Sequence, residues 1–167
     1  MLREAVILML FPAAMAFAAA SDLVTMTISN KVSLVLVAGF AVLALWTGMD
    51  LTQLAGHAAA GAIVLVAGFT CFACGWIGGG DAKLAAVTAL WLGLPHLLEY
   101  LLVASVLGGA LTLFLLQVRQ FPLPAVLAAQ SWATRLHSPG GDVPYGIALA
   151  AAALIVYPNS VWMTALV

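Results

Sequence analysis

Charge is what this sequence has least of. Of 167 residues only five are Lys or Arg and six are Asp or Glu, 7% in all, where a soluble globular chain carries roughly 25%. That deficit excludes a soluble enzyme and a disordered tail. Five scattered cations cannot build the basic patch of a nucleic-acid binder, and the net charge of −1 selects no charged partner. Cysteine is scarce too. Cys71 and Cys74 form a lone CxxC, whereas zinc needs about four ligands, so no metal site or cofactor is expected and the two sulfurs read as apolar packing one turn apart. The serines and histidines show no nucleophile elbow or triad signature. What the chain has in abundance is apolar surface: 65% of its residues are hydrophobic and the mean hydropathy is +1.18. These figures describe an integral membrane protein, mostly embedded.

A membrane-spanning helix needs about 20 apolar residues, so a chain of this length with short loops allows about six spans. Six stretches can be marked, running roughly Ala5–Ala20, Val32–Met49, His57–Ile77, Asp81–Leu94, His96–Val118 and Pro144–Pro158. They are too long and too continuously apolar for barrel strands, which alternate. The expected fold is an all-α, six-helix transmembrane bundle in a single domain over residues 1–167. Polar residues collect in the breaks. Lys31, Lys83, Arg119 and Arg135 all fall in the first, third and fifth breaks, against Arg3 alone on the other side. The bias of cations toward the cytoplasm places those three breaks inside and both termini outside. Residues 1–20 also resemble a secretory signal with a small-residue cleavage site. A retained first span is the reading adopted, because it keeps Asp22 in the layer of the other polar residues. Trp46, Trp76 and Trp91 lie near span ends, as interfacial anchors do, and Pro122–Leu136 has the mixed pattern of a segment lying along the membrane surface.

Ionisable residues at a membrane border are costly and point to function. Glu4 and Asp50 read as solvated, and Asp142, after Gly140-Gly141, as a turn or helix start. Glu99 shares a helix face with His96 in the first turn after Pro95, which is structural anchoring. That leaves Asp22 and Asp81, at the end of span one and the start of span four, at one membrane depth. Two carboxylates brought together share one proton, because like charges resist joint ionisation. Such a dyad suits peptide hydrolysis: one carboxylate takes a proton from water while the other donates to the carbonyl oxygen. Gly78, Gly79 and Gly80 precede Asp81 and permit close approach of a substrate chain. Lys83 faces away from Asp81 and reads as a partner for a lipid phosphate or for another break. The rival class is a small proton- or cation-coupled transporter using Asp22, Asp81 or Glu99, but no internal repeat is visible and the acids lie at the borders rather than the midplane.

Gly78-Gly79-Gly80-Asp81-Ala82-Lys83-Leu84 resembles the GxGD-x-K-L signature of prepilin peptidases, the membrane aspartic proteases that process type IV pilins. Asp22 followed by Ile28-Ser29-Asn30 resembles that family's other motif, an Asp at the end of the first span and then Ile-Pro-Asn. Val143-Pro144-Tyr145-Gly146-Ile147-Ala148 resembles the start of its last span. Two features depart from the pattern: residues 23–27 lack the usual basic residues, and Ser29 stands where Pro is expected. The resemblance is to the short members, such as those serving tight-adherence (Flp) pili, without the four-cysteine domain that larger members use for methylation. It implies Asp22 and Asp81 as the catalytic pair, with Gly78, Gly79, Gly80, Lys83, Asn30 and Pro144 around them and no cofactor. It implies cleavage of a basic leader from prepilins at the cytoplasmic border of a bacterial plasma membrane, with prepilins and lipids as partners. A non-catalytic subunit of a pilus machine would carry the same motifs.

Overall fold

The computed structural model describes residues 2–164, and the regular structure in that range is helical. Its elements are α1 (Leu2–Thr25), α2 (Asn30–Thr47), α3 (Leu51–Ala73), α4 (Gly79–Val118), α5 (Ala125–Ala128), α6 (Ser131–His137), α7 (Tyr145–Val156) and α8 (Val161–Thr164), with a 3-10 turn at Tyr157–Asn159 before α8. Local signals set several ends. Ser29 caps α2 by accepting from the Lys31 N–H, and Gly48 ends it with φ 69°. Asp50 and Gln53 form a capping box at the start of α3, two orphan donors satisfied reciprocally. That box starts the third helix at Leu51, ahead of the expected His57. Asp50 is therefore a cap and not merely a solvated loop residue.

Among the described residues, five stretches are long and apolar enough to cross a bilayer: Arg3–Thr25, Asn30–Thr47, Leu51–Ala73, Gly79–Val118 and Tyr145–Thr164. The fourth is long enough for two crossings. A continuous helix of 40 residues would run about 60 Å, twice the roughly 30 Å hydrocarbon thickness. Gly93 breaks it with φ 74° and ψ 175°, a conformation open essentially to glycine alone, and Pro95 follows with no N–H to offer. The two arms then run back along each other. Asp81 and Thr112 line one cavity, although a straight helix would hold them about 46 Å apart. The expected fourth and fifth spans are thus the two arms of one kinked helix, with the hinge at Gly93 rather than at Pro95.

Small residues let neighbouring helices close up, as membrane packing requires. A side chain at Gly61 would meet Leu90 at 3.1 Å, and one at Gly68 would meet Ala82 at 3.1 Å, so α3 lies antiparallel against the first arm of α4. The main core joins α1, α2, α4 and α7. On α1 the buried stripe is Ile7, Phe11, Met15 and Ala18, a helical repeat, and its next member is Asp22. At the far end the core is aromatic. Trp91 is fully buried, donates from Nε1 to the Leu36 carbonyl at 2.9 Å, and its own carbonyl accepts from Trp162 Nε1 at 2.7 Å. Tyr157 donates to the Ile7 carbonyl at 2.9 Å. Polar atoms of buried aromatic rings need partners, all the more in lipid. Trp91 is thus a core residue and not an interfacial anchor, whereas Trp46 and Trp76 are exposed.

Candidate active site

The first, third and fifth breaks meet at one end of the bundle. α1 runs on past Ala20 to Thr25, which places Asp22 inside its last full turn rather than in a loop. The helix stops at Met26, whose φ of 55° is left-handed, a conformation uncommon outside glycine. The Met26 N–H donates to the Asp22 carbonyl at 2.8 Å, and Ser21 Oγ donates to the Thr27 carbonyl at 2.9 Å. This tight exit sends Ile28 between the two neighbouring chain segments: side chains at Gly80 and at Gly146 would each strike it.

Asp22 is only 5% exposed. Its Oδ2 accepts from the Gly146 N–H at 2.7 Å. The first N–H groups of a helix have no partner within it, and α7 has no side-chain cap from its own N-cap residue, Pro144. A carboxylate carried on α1 supplies that cap from 124 residues away in sequence. Asp81 stands in the first turn of α4, where a negative charge is favoured by the helix dipole. Gly78 packs beside it; a side chain there would come 3.0 Å from Asp81 Oδ2. The two acids line the same two cavities.

Asp22 and Asp81 sit where two cavities join. The larger, about 720 Å³, is lined by Asp22, Met26, Gly75, Trp76, Ile77, Gly78, Asp81, Thr112, Asp142, Val143 and Tyr145. The smaller, about 280 Å³, is lined by the same two acids together with Met26, Thr27, Ile28, Gly78, Gly79 and Gly80. Both cavities are thus walled by the pair of carboxylates. Among the described residues, no three His, Cys, Asp or Glu side chains converge as metal ligands.

Of the residues singled out in the sequence, Asp22, Asp81 and Gly78 line both cavities, and Gly79 and Gly80 line the smaller. Lys83 and Asn30 line neither. They bind each other, Lys83 Nζ donating to Asn30 Oδ1 at 2.8 Å, which ties α4 to the start of α2. Pro144 is buried and acts as the N-cap of α7, setting Tyr145 and Gly146 in place. His96 and Glu99 pair at 3.3 Å, and Asn159 Nδ2 donates to Glu99 at 3.4 Å, far along the chain from the acids at issue. The cations of the fifth break are tied to carbonyls. Arg119 donates to Leu136 at 2.7 Å and to Asp142 at 2.9 Å, and Arg135 donates to Val24 at 3.2 Å.

Met26, Trp76, Thr112, Asp142, Tyr145 and Gly146 were not singled out from the sequence as site residues. For Tyr145 and Gly146 a signal existed, the Val143–Gly146 segment already matched to a family pattern. For Thr112 none existed, because its approach to Asp81 depends on the reversal at Gly93.

Comparison with protein families bears on this arrangement. A model of the type IV leader peptidase family matches residues 9–113, well over half of the chain and inclusive of both acids. No curated protein and no solved structure matches the chain.

Proposed function

The chain belongs to the type IV leader peptidase family, and from that premise we propose that it is a membrane aspartic endopeptidase that removes the basic leader of Flp-like type IV prepilins, with Asp22 and Asp81 as its catalytic pair. The observation that carries the proposal is the convergence of these two acids, remote in sequence, at the junction of two cavities. Both stand at helix ends, the depth at which a substrate that is itself a membrane helix leaves the bilayer.

The chemistry needs one proton shared between the pair. The ionised carboxylate takes a proton from a water held between them, and the water oxygen attacks the scissile carbonyl carbon. The protonated carboxylate gives its proton to the carbonyl oxygen, forming a gem-diol. The diol then collapses: the C–N bond breaks, the nitrogen takes up a proton, and the new carboxyl and amine leave. Gly146 holds Asp22 in register. A helical peptide hides its carbonyl, so the substrate must be extended at the cut. Gly78, just ahead of α4, lines both cavities, and the lack of a side chain there lets such an extended strand approach. The active site faces the cytoplasm of a bacterial plasma membrane in this reading.

Co-expression with a Flp-type prepilin tests it. Asp22→Asn and Asp81→Asn should each abolish leader removal, seen as a size shift of the pilin. Normal processing by either variant defeats the dyad. A non-catalytic subunit or an ion-coupled transporter would show no processing even in the unsubstituted protein.

A further inference from the structure

Helix α7 begins with Tyr145, and its ring sits against the second arm of α4 where that arm presents Gly108. An added Cβ at Gly108 would sit 2.4 Å from Tyr145 Cε1, 2.7 Å from Cζ and 2.8 Å from Oη. No real side chain tolerates such distances, so any residue but glycine must expel the ring. The next position is different: a Cβ at Gly109 meets nothing within 4 Å. Of two adjacent glycines, only the first is shaped to something.

What it is shaped to is a wall of the larger cavity. Tyr145 lines that cavity together with Asp22, Asp81 and Thr112, and it remains partly exposed. Thr112, one turn beyond Gly108, donates its Oγ1 hydrogen to the Gly108 carbonyl at 2.8 Å. Its hydroxyl hydrogen thus bonds the helix backbone beside the ring. The residue after Tyr145 is Gly146, whose N–H holds Asp22. A ring driven off Gly108 therefore shifts a wall of the cavity, one residue from the helix start that holds one of the two acids.

We propose that Tyr145 is a substrate-positioning residue, the aromatic wall against which the chain being cut is laid, and that the missing side chain of Gly108 sets where that wall stands. The proposal rests on the peptidase reading above. It makes Gly108 a positioning residue that acts through Tyr145 and never touches substrate.

The test is a double-mutant cycle on the full chain in membranes, with a Flp-type prepilin as substrate and initial rates measured over a range of prepilin levels. Wild type and Asp81→Asn come first: if the wild type does not cut, or Asp81→Asn does, the peptidase reading fails and the positioning role falls with it. With that established, Gly108→Ala should raise KM about tenfold, the size of effect that one methylene has in a fitted pocket. Gly109→Ala should cut like wild type. Tyr145→Ala should weaken cleavage, and Gly108→Ala added to Tyr145→Ala should have no further effect, because the clash is gone. Independent effects that add in the double variant overturn the proposal. So does wild-type KM in Gly108→Ala, or an equal loss in Gly109→Ala. Thermal unfolding of each variant separates a shifted wall from a protein that does not fold.

Discussion

Replacing Gly146 by alanine asks how closely the pair of acids is held. An added methyl carbon would lie 2.7 Å from Ile28 Cδ1, 2.8 Å from Asp22 Oδ2 and 3.0 Å from Asp22 Cγ. Ordinary contact lies near 3.5–4.0 Å, so about 1 Å of movement must be shared among the Asp22 carboxylate, Ile28 and the start of α7. The 2.7 Å hydrogen bond to Asp22 does not survive that movement intact. A hydrogen bond to a charged group contributes about 1.5–3 kcal/mol, and an extra methyl in a packed site costs about 1–3 kcal/mol. Much of the second term is relieved if the end of α7 tilts outward, which moves Asp22's partner rather than Asp22. Either way the acid loses its register. A misplacement of about 1 Å costs roughly a hundredfold in rate. The expected result is therefore leader removal slowed about a hundredfold in a protein that still inserts and unfolds cooperatively in detergent at a somewhat lower temperature. The readout is the initial rate of prepilin processing in membranes, with the thermal midpoint of the same preparation. Processing at the wild-type rate would refute the reasoning, since it would mean that Asp22 needs neither the bond nor the clearance.

Three further outcomes follow from the packing. Gly93→Ala should lower the yield of folded protein, because φ 74° and ψ 175° cost a residue with a side chain about 1–3 kcal/mol and the new carbon would strike the His57 ring at 3.0 Å; normal thermal stability would show that the reversal of α4 does not depend on it. Trp91→Ala should destabilise by about 3–5 kcal/mol, whereas Trp91→Phe, which keeps most of the ring and loses the bond to Leu36, should lose about 1 kcal/mol; equal thermal shifts would deny the core role of the indole. Lys83→Ala removes the bond to Asn30 at an exposed site and should cost at most about 1.5 kcal/mol, leaving processing measurable; its complete loss, as in Asp81→Asn, would place Lys83 within the chemistry.

Composition and spacing determined a good deal of this protein. So few charges and such long apolar runs admit only a membrane helix bundle, since lipid offers backbone groups no partner outside a helix or a closed barrel. The same scarcity made Asp22 and Asp81 stand out, because an acid at a membrane border without a local explanation is expensive. Local rules also read correctly at His96–Glu99, a pair three residues apart on one helix face.

What the linear pattern could not decide was which residues from different spans share a space. Trp91 lay near a span end and read as an anchor, yet the turn at Gly93 folds it into the core, where its N–H finds Leu36 and its carbonyl finds Trp162. Asp142 read as a turn residue, and Thr112 drew no notice. Both reach the larger cavity only because the chain doubles back and the fifth break closes over it. The bond from Gly146 to Asp22 joins the two ends of the chain. Hydropathy registers how apolar each residue is along one helix. The distances between helices are set by where small residues let backbones close up, and that is a property of pairs of surfaces, which exists only once the bundle has formed.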